Sequence, residues 1–553
     1  MRQRDDRSGR RPRWRVRIVR TASHLIACAF NLSACTTAPV YDLLLVGGSV
    51  IDGTGAPRRV ADVAVRGDRI VAVGPNLPRR GAVRVIDVRD RIVAPGFWDN
   101  HAHLVTLETQ PLAENLVRQG ITTVLAPLHS QDQPFPMDAY RRRVRMAPNV
   151  GLFAGHTWIR RRVMGLADRA PTPAELEWMR ALVDSAMTQG ALGLSTGLEY
   201  VPATYATTDE LVALAEVAAR AGGRYVTHLR DEGPGVLDAL EEALTIGRRA
   251  HIPVQVNHLK VTGATQWGMS ARLLARLDSA RAEGIMVAVD VYPYTAYSTY
   301  GDLMIPPWAL ADGPAAFARR VADPATRARL VREMRIRFPQ QAGADATSIQ
   351  FREVPSHPAL AGRTLADHLA AIGRPNTIAA AVDALIDLQL AGGFIGIFHG
   401  MDPRDVERFA REPDTMFESD GDLVTFGEGH PHPRSYGAFP RVLGELVRDR
   451  GILTLEEAIR RMTSLPAAWL GVRDRGTITV GMTADLTVVD PVTVRDASSY
   501  LTPHRWPEGI SLVMVNGTVV LQDGAMTGAL PGRFLERQIS GTSPPPPPGR
   551  SRP

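Results

Sequence analysis

The feature that most constrains this chain is a recurrent alternation, over about residues 94 to 470, of short apolar runs with longer amphipathic stretches. The candidate strands are VAPGFWDNHAH, GITTVLAP, NVGLFAGH, GALGLSTG, GRYVTHL, IPVQVNH, MVAVDVYPY and TMFESDG, and helical stretches such as PAELEWMRALVDSAMTQ and TDELVALAEVAARAG separate most of them. An apolar run followed by a helical period marks a βα unit, and repeated βα units build a parallel sheet. Eight strands suffice to close a (β/α)8 barrel of the TIM type, so the fold class is α/β. The gap from Tyr294 to Thr415 is too long for one crossover and is expected to hold an inserted lid subdomain, about residues 300 to 410, rich in proline and arginine.

On either side of this region the pattern changes. From Tyr41 the chain reads YDLLLVGGSVID, VADVAVRGDRIVAVGP and VRVIDVRDRIVAPG, and near the other end GTITVGMTADLTVVD and ISLVMVNGTVVLQDG return with the same alternation and glycine turns. Residues 41–93 and 471–534 are therefore expected to complete one small β-sandwich from both chain ends, around a barrel of residues 94–470. A chain of 553 residues accommodates one large domain with an appended one. The tail from Ser540, SGTSPPPPPGRSRP, is expected to be disordered.

A net charge of +6 invites a nucleic-acid reading, but the first twenty residues carry nine arginines against two acids. Without them the body is nearly neutral and shows no recurring basic and aromatic stripe, which excludes nucleic acid as a partner. The basic run, the modestly apolar TASHLIACAFN and Leu32-Ser33-Ala34-Cys35 read as a lipoprotein signal over residues 1–35, with Cys35 as the acylated residue. This implies a bacterial envelope location through a lipid anchor, with a cytoplasmic protein bearing a plain extension as the alternative. Cys28 and Cys35 are the only cysteines, so the body has no disulfide and depends on packing and metal.

The polar residues carry the functional signal. His101 and His103 close the first strand as H-A-H, His228 closes the fifth, His258 the sixth, and Asp420 the eighth. In a parallel barrel all these ends converge on one face, and alternation points both residues of H-x-H to the same side. Imidazoles converging with a carboxylate suit a borderline divalent ion, with Zn2+ the default. His156 and His399 also close apolar runs and are candidates for supporting roles, whereas His251, His357, His368 and His504 fall in helix, loop or tail contexts.

The segments APGFWDNHAH, NVGLFAGHTWIRRRVMG, GALGLSTGLEYVP, THLRDEG, NHLK, DVYPYTA, SDG and HPRSYGAFPRVLG follow one another in order. Together they resemble the N-acyl-D-amino-acid deacylase (D-aminoacylase) branch of the metal-dependent amidohydrolase superfamily, from about Tyr41 to Phe534. The resemblance implies a tight zinc held by His228 and His258 and a weaker second position formed by His101, His103 and Asp420. It implies hydrolysis of the amide between an acyl group and a D-amino acid, with Asp420 as the general base that takes a proton from the attacking water and returns it to the leaving amine. The sequence departs from the family after the GITTV strand, where a cysteine ligand is usual and His129 stands here. A thiolate can bridge two metals, but a neutral imidazole offers one lone pair. One well-occupied metal is therefore expected, with His129 a possible third ligand and the second position weak or empty. A substrate carboxylate calls for a planar bidentate donor, the role that Arg434 in HPRSYG resembles, with Lys260 and Tyr292 as companions and Arg230 and Tyr200 as weaker candidates. Glu199 stands where other amidohydrolases carry a carboxylated lysine, and the resemblance gives it no ligand role.

Two other readings fit the shared framework of H-x-H, two histidines and an aspartate: a cyclic amidase of the hydantoinase or dihydroorotase kind, and a lipid-anchored binding protein without turnover. The absent lysine and the HPRSYGAFP segment oppose the first, and Asp420 opposes the second.

Overall fold

The computed structural model describes residues 40–128 and 134–537; the proposed signal with Cys35, His129 and the tail from Ser540 lie outside them. The barrel strands are β1 (Phe97–Asp99), β2 (Ile121–Ala126), β3 (Asn149–Leu152, resuming at Ala154–Gly155), β4 (Gly193–Gly197), β5 (Arg224–His228), β6 (Val254–Val256), β7 (Val287–Val291) and β8 (Thr415–Phe417). β1 to β3 pair in parallel as one run, and β3 to β8 as a second. The runs join at Phe153, where the Leu192 amide donates to the Leu152 carbonyl at 2.7 Å. The ring closes where Ala102–His103 pairs in parallel with Gly421–Asp422 and the Asp420 amide donates to the His101 carbonyl at 2.9 Å. Closure thus occurs through the segments that carry His101, His103 and Asp420.

The local reasons for these elements are ordinary. Strands such as Ile121–Ala126 are buried on both faces, as a parallel sheet covered by helices requires. The helix Thr208–Arg220 buries Leu211, Leu214, Ala215 and Ala218 at helical spacing, and Thr172 with Glu175 forms a capping box that starts Pro173–Thr188. Each buried leucine contributes on the order of 2 kcal/mol. Gly193 is required where β4 lies against β5, because a Cβ there would fall 1.9 Å from the Arg224 carbonyl oxygen.

The two β blocks form one nine-stranded sheet in which Ile92–Pro95 pairs antiparallel with Leu486–Val489. Its first strand, Tyr41–Val50, shifts register between Leu45 and Gly48 and pairs on one edge first with Ala82–Asp87 and then with Ile92–Pro95. The sheet therefore branches, and its faces meet around Leu45, Val63, Val65, Leu486 and Met514. A single hydrogen-bonded sheet in this way supplies both layers of the sandwich.

Between β7 and β8 the chain forms an antiparallel sheet, with Ile395–Phe398 between Tyr297–Tyr300 and Ile349–Glu353. The helices Pro324–Gln341 and Ile378–Leu390 belong to this insertion, and Pro403–Arg411 returns to pack on β7 and β8 as their crossover helix. Among the described residues no helix is long and apolar enough to cross a membrane.

Candidate metal centre

Four imidazoles gather at the C-terminal mouth of the barrel. Ring centroids lie 5.3 Å apart for His101 and His103, 4.8 Å for His101 and His258, and 4.7 Å for His228 and His258. The donors fall into two groups, His101 with His103 and Asp420, and His228 with His258 and Glu232; within each, the ligand atoms lie within 4.8 Å of one another. In the first, Asp420 Oδ1 lies 3.0 Å from His103 Nε2 and 3.4 Å from His101 Nε2. In the second, His228 Nδ1 and His258 Nε2 approach to 3.2 Å.

The outward nitrogens fit the residues to a metal. His228 Nε2 lies 3.0 Å from Glu199 Oε2, and His258 Nδ1 lies 3.1 Å from Glu232 Oε1. In the tautomer whose outer N–H donates to the carboxylate, each ring presents its inner lone pair and the two facing nitrogens can share one cation; Lys260 Nζ also lies 2.7 Å from His258 Nδ1. Glu232 also accepts from Lys260 Nζ at 2.7 and 2.8 Å. Burial keeps His258 and His101 well below the usual histidine range and brings His228 down to about 4, so these rings are neutral ligands. Burial also lowers His103, but the hydrogen bond it donates to Asp420 and the nearby carboxylates outweigh it, with a net upward shift. Burial and the adjacent Glu232 raise the Glu199 carboxyl well above its ordinary value, and a divalent cation beside His228 would act against both.

The scaffold fixes these side chains at a local cost. His258 and Asp420 both adopt left-handed backbone conformations, with φ of 37° and 46°. Two buried carboxylates hold them there. Asp290 accepts from the His258 amide, and Asp99 accepts from the Ser419 amide at 2.9 Å and the His101 amide at 3.3 Å. Burial pushes each up to about 7 despite those bonds.

Arg434 lies beside Asp420, with Nη1 2.7 Å from Oδ2, and its Nη2 donates to the Ser298 carbonyl at 3.2 Å. Burial alone would raise the Asp420 carboxyl, but Arg434, His258 and His103 hold it well below the usual range, leaving an ionised acceptor. These groups line a narrow, open cleft walled on one side by the insertion sheet.

The structure brings His103, His228, His258, Asp420, Arg434 and Lys260 together around this cleft, with His101 buried beside them against His258 and Asp420. Tyr292 takes a different position from the one expected of a substrate contact. Its ring lies beneath Arg434 at 5.0 Å and Lys260 at 5.7 Å, while its hydroxyl faces Met401 Sδ at 3.8 Å, so it braces the two cations from behind. Arg230 is committed to Glu242 and to the carbonyls of Thr204 and Ala206. Tyr200 lines the cleft against the His228 ring at 4.8 Å, with its hydroxyl 2.8 Å from Thr299 Oγ1. His156 is bound to Glu210 at 2.9 Å, and His399 packs on Tyr500. The sequence reading passed over Glu232, Arg352 and Asp422. Only Glu232 left a local signal, an acid four residues after His228 in THLRDEG.

A barrel mouth with neutral imidazoles, an ionised aspartate and a buried arginine defines a metal-dependent hydrolase. A model described as "Amidohydrolase family" matches residues 84–521. The chain is 37% identical to the D-aminoacylase of Alcaligenes xylosoxydans xylosoxydans, over 90% of this chain and 98% of that protein. It is 36% identical to the N-acyl-D-glutamate deacylase of the same organism, over 90% and 97%. The solved N-acyl-D-glutamate deacylase of Bordetella bronchiseptica, complexed with zinc and a phosphonate mimic of the tetrahedral intermediate, superimposes with a TM-score of 0.75 at 33% identity, covering 90% of this chain and 99% of that one. The chain belongs to the amidohydrolase family, in its N-acyl-D-amino-acid deacylase branch, and is a hydrolase of carbon–nitrogen bonds other than peptide bonds.

Proposed function

We propose that this protein hydrolyses the amide bond of N-acyl-D-amino acids or D-residue-containing dipeptides, releasing a carboxylate and a free amino acid. One observation carries the reading: Asp420 stands between the histidine cluster and Arg434, within 3.0 Å of His103 and 2.7 Å of the guanidinium. A proton acceptor, a metal-ligand set and a carboxylate receptor thus share one cleft.

Arg434 and Lys260 receive the substrate α-carboxylate, which orients the scissile carbonyl toward the histidines. Asp420 accepts a proton from the attacking water and passes it to the departing amine, so one carboxylate acts first as base and then as acid. When bound, zinc lowers the pKa of water and polarises the carbonyl. The zinc-containing Bordetella relative supports that metal. His228 and His258 would hold the well-occupied ion, with His129, outside the described residues, a candidate third ligand, while His101, His103 and Asp420 would form a second position that is weak or empty. The leader before Cys35 supports attachment to the bacterial envelope by a lipid anchor.

The test is hydrolysis of paired N-acetyl-D- and N-acetyl-L-amino acids by the zinc-supplemented protein, read as free amino acid. Release from the D series, with little from the L series, is expected. Absence of release from every member would contradict the proposal.

A further inference from the structure

Relatives named for an unspecified D-amino acid and for D-glutamate match this chain almost equally, at 37% and 36% identity, so overall similarity does not choose the side chain. The cleft contains a feature that does. Arg352, on the insertion strand Ile349–Glu353, reaches across to Asp422, on the segment that closes the barrel, and the two form an ion pair through Nη1 and Oδ2. Both line the same cleft as Asp420 and Arg434, and both remain partly open to it, with side chains 16% and 23% exposed.

The pair stands on the amino-acid side of the cleft. Arg434 is braced on the Ser298 carbonyl of Tyr297–Tyr300, and Ile349–Glu353 lies two strands away in the same sheet. Two strand spacings place these backbones about 10 Å apart, and the two arginines lean into one cleft from that base. A substrate whose α-carboxylate rests on Arg434 therefore offers its α-carbon substituent to Arg352 and Asp422.

We propose that the Arg352–Asp422 pair is the side-chain selector of this enzyme and that it favours neutral D-side chains, above all hydrogen-bonding ones such as that of D-glutamine. The inference rests on the deacylase reading above. Its basis is charge balance. A substrate carboxylate must compete with Asp422 for the guanidinium, and a substrate ammonium must compete with Arg352 for the carboxylate. A neutral amide leaves the pair intact and still finds a donor and an acceptor. Asp422 lies two residues from Asp420 and opposite His103, so its replacement also changes turnover in general; the selector is read in ratios between substrates, which cancel that common factor.

The experiment compares kcat/KM for N-acetyl-D-glutamine, N-acetyl-D-glutamate and N-acetyl-D-lysine in the wild type, Arg352→Gln, Arg352→Lys and Asp422→Asn. The wild type is expected to prefer the glutamine substrate to either charged one by roughly tenfold or more. Asp422→Asn should raise the glutamate-to-glutamine ratio by roughly tenfold, and Arg352→Gln should raise the lysine-to-glutamine ratio by a similar factor, while Arg352→Lys keeps the wild-type order. Ratios unchanged within about twofold in folded, active variants would overturn the selector and leave the deacylase reading standing. Failure of the wild type on all three substrates, and on the wider D series, would overturn both.

Discussion

Replacing Glu232 by glutamine isolates the contribution of a carboxylate behind a metal-ligating histidine. Glu232 bonds the outer nitrogen of His258 at 3.1 Å and both its oxygens meet Lys260 at 2.7 and 2.8 Å, with all three side chains nearly inaccessible. Glutamine preserves the volume but has one acceptor oxygen for two donors, and its NH2 group faces a buried ammonium. His258 loses the partner that fixes its tautomer and strengthens its inner lone pair. Loss of such a partner typically weakens metal binding by 10- to 100-fold, about 1.4–2.7 kcal/mol, and the double duty of Glu232 argues for the upper end. The assay is zinc competition between the metal-free protein and a chromophoric chelator, with circular dichroism to confirm folding. Glu114→Gln, which disturbs only a surface pair with Arg118, should leave affinity unchanged. Affinity within about twofold of wild type for Glu232→Gln would refute the reasoning. A loss above about 10,000-fold with one ligand fewer by X-ray absorption would show that Glu232 binds the ion directly.

Arg434→Met should disturb Asp420 for every substrate, yet lower kcat/KM for N-acetyl-D-amino acids by roughly 100-fold more than for neutral amide analogues without the α-carboxylate; equal losses on both would remove Arg434 from carboxylate recognition. Burial keeps His228, His101 and His258 neutral in the folded metal-free protein where the unfolded chain takes up their protons, below about 6.5, while Asp99 and Asp290, raised by burial to about 7, act on stability in the opposite sense over the same range, so the rings themselves are the readout. Imidazole NMR of chelated protein should place the His228 midpoint at about 4, and a midpoint near 6.5 would contradict the buried neutral assignment. Metal analysis should find one tightly held ion per chain, and two ions at full occupancy would contradict the part given to His129. Cys35→Ser should move the protein from the membrane to the soluble fraction of a bacterial envelope preparation, and unchanged fractionation would remove the lipid anchor.

The barrel was legible because parallel strands covered by helices must read as short apolar runs, and because catalytic side chains of such a barrel collect where those runs end. His228 and His258 could be placed from the ends of RYVTH and VQVNH alone. The insertion was visible as excess length, but its internal sheet was not, because Tyr297–Tyr300 and Ile395–Phe398 pair across almost a hundred residues without a shared local pattern. Glu232 and Asp422 each carry a plain carboxylate in a polar loop, a context that more often marks solvated residues. Arg352 meets its partner Asp422 only through a contact 70 positions away. Tyr292 shows the opposite limit: its motif gave its neighbourhood, but only the packed structure turns its ring toward the cations and its hydroxyl away from the cleft.

Under the proposed function, Asp420 and the histidine cluster together perform metal-dependent deacylation. Its most direct test is a zinc titration of metal-free enzyme with N-acetyl-D-amino acid hydrolysis as the readout, for the wild type and Asp420→Asn in parallel. Wild-type activity should rise to a plateau near one equivalent of zinc, and the Asn variant should bind zinc at His228 and His258 yet stay at least about 1,000-fold less active. Full activity in the chelated wild type, or substantial turnover by zinc-loaded Asp420→Asn, would contradict it.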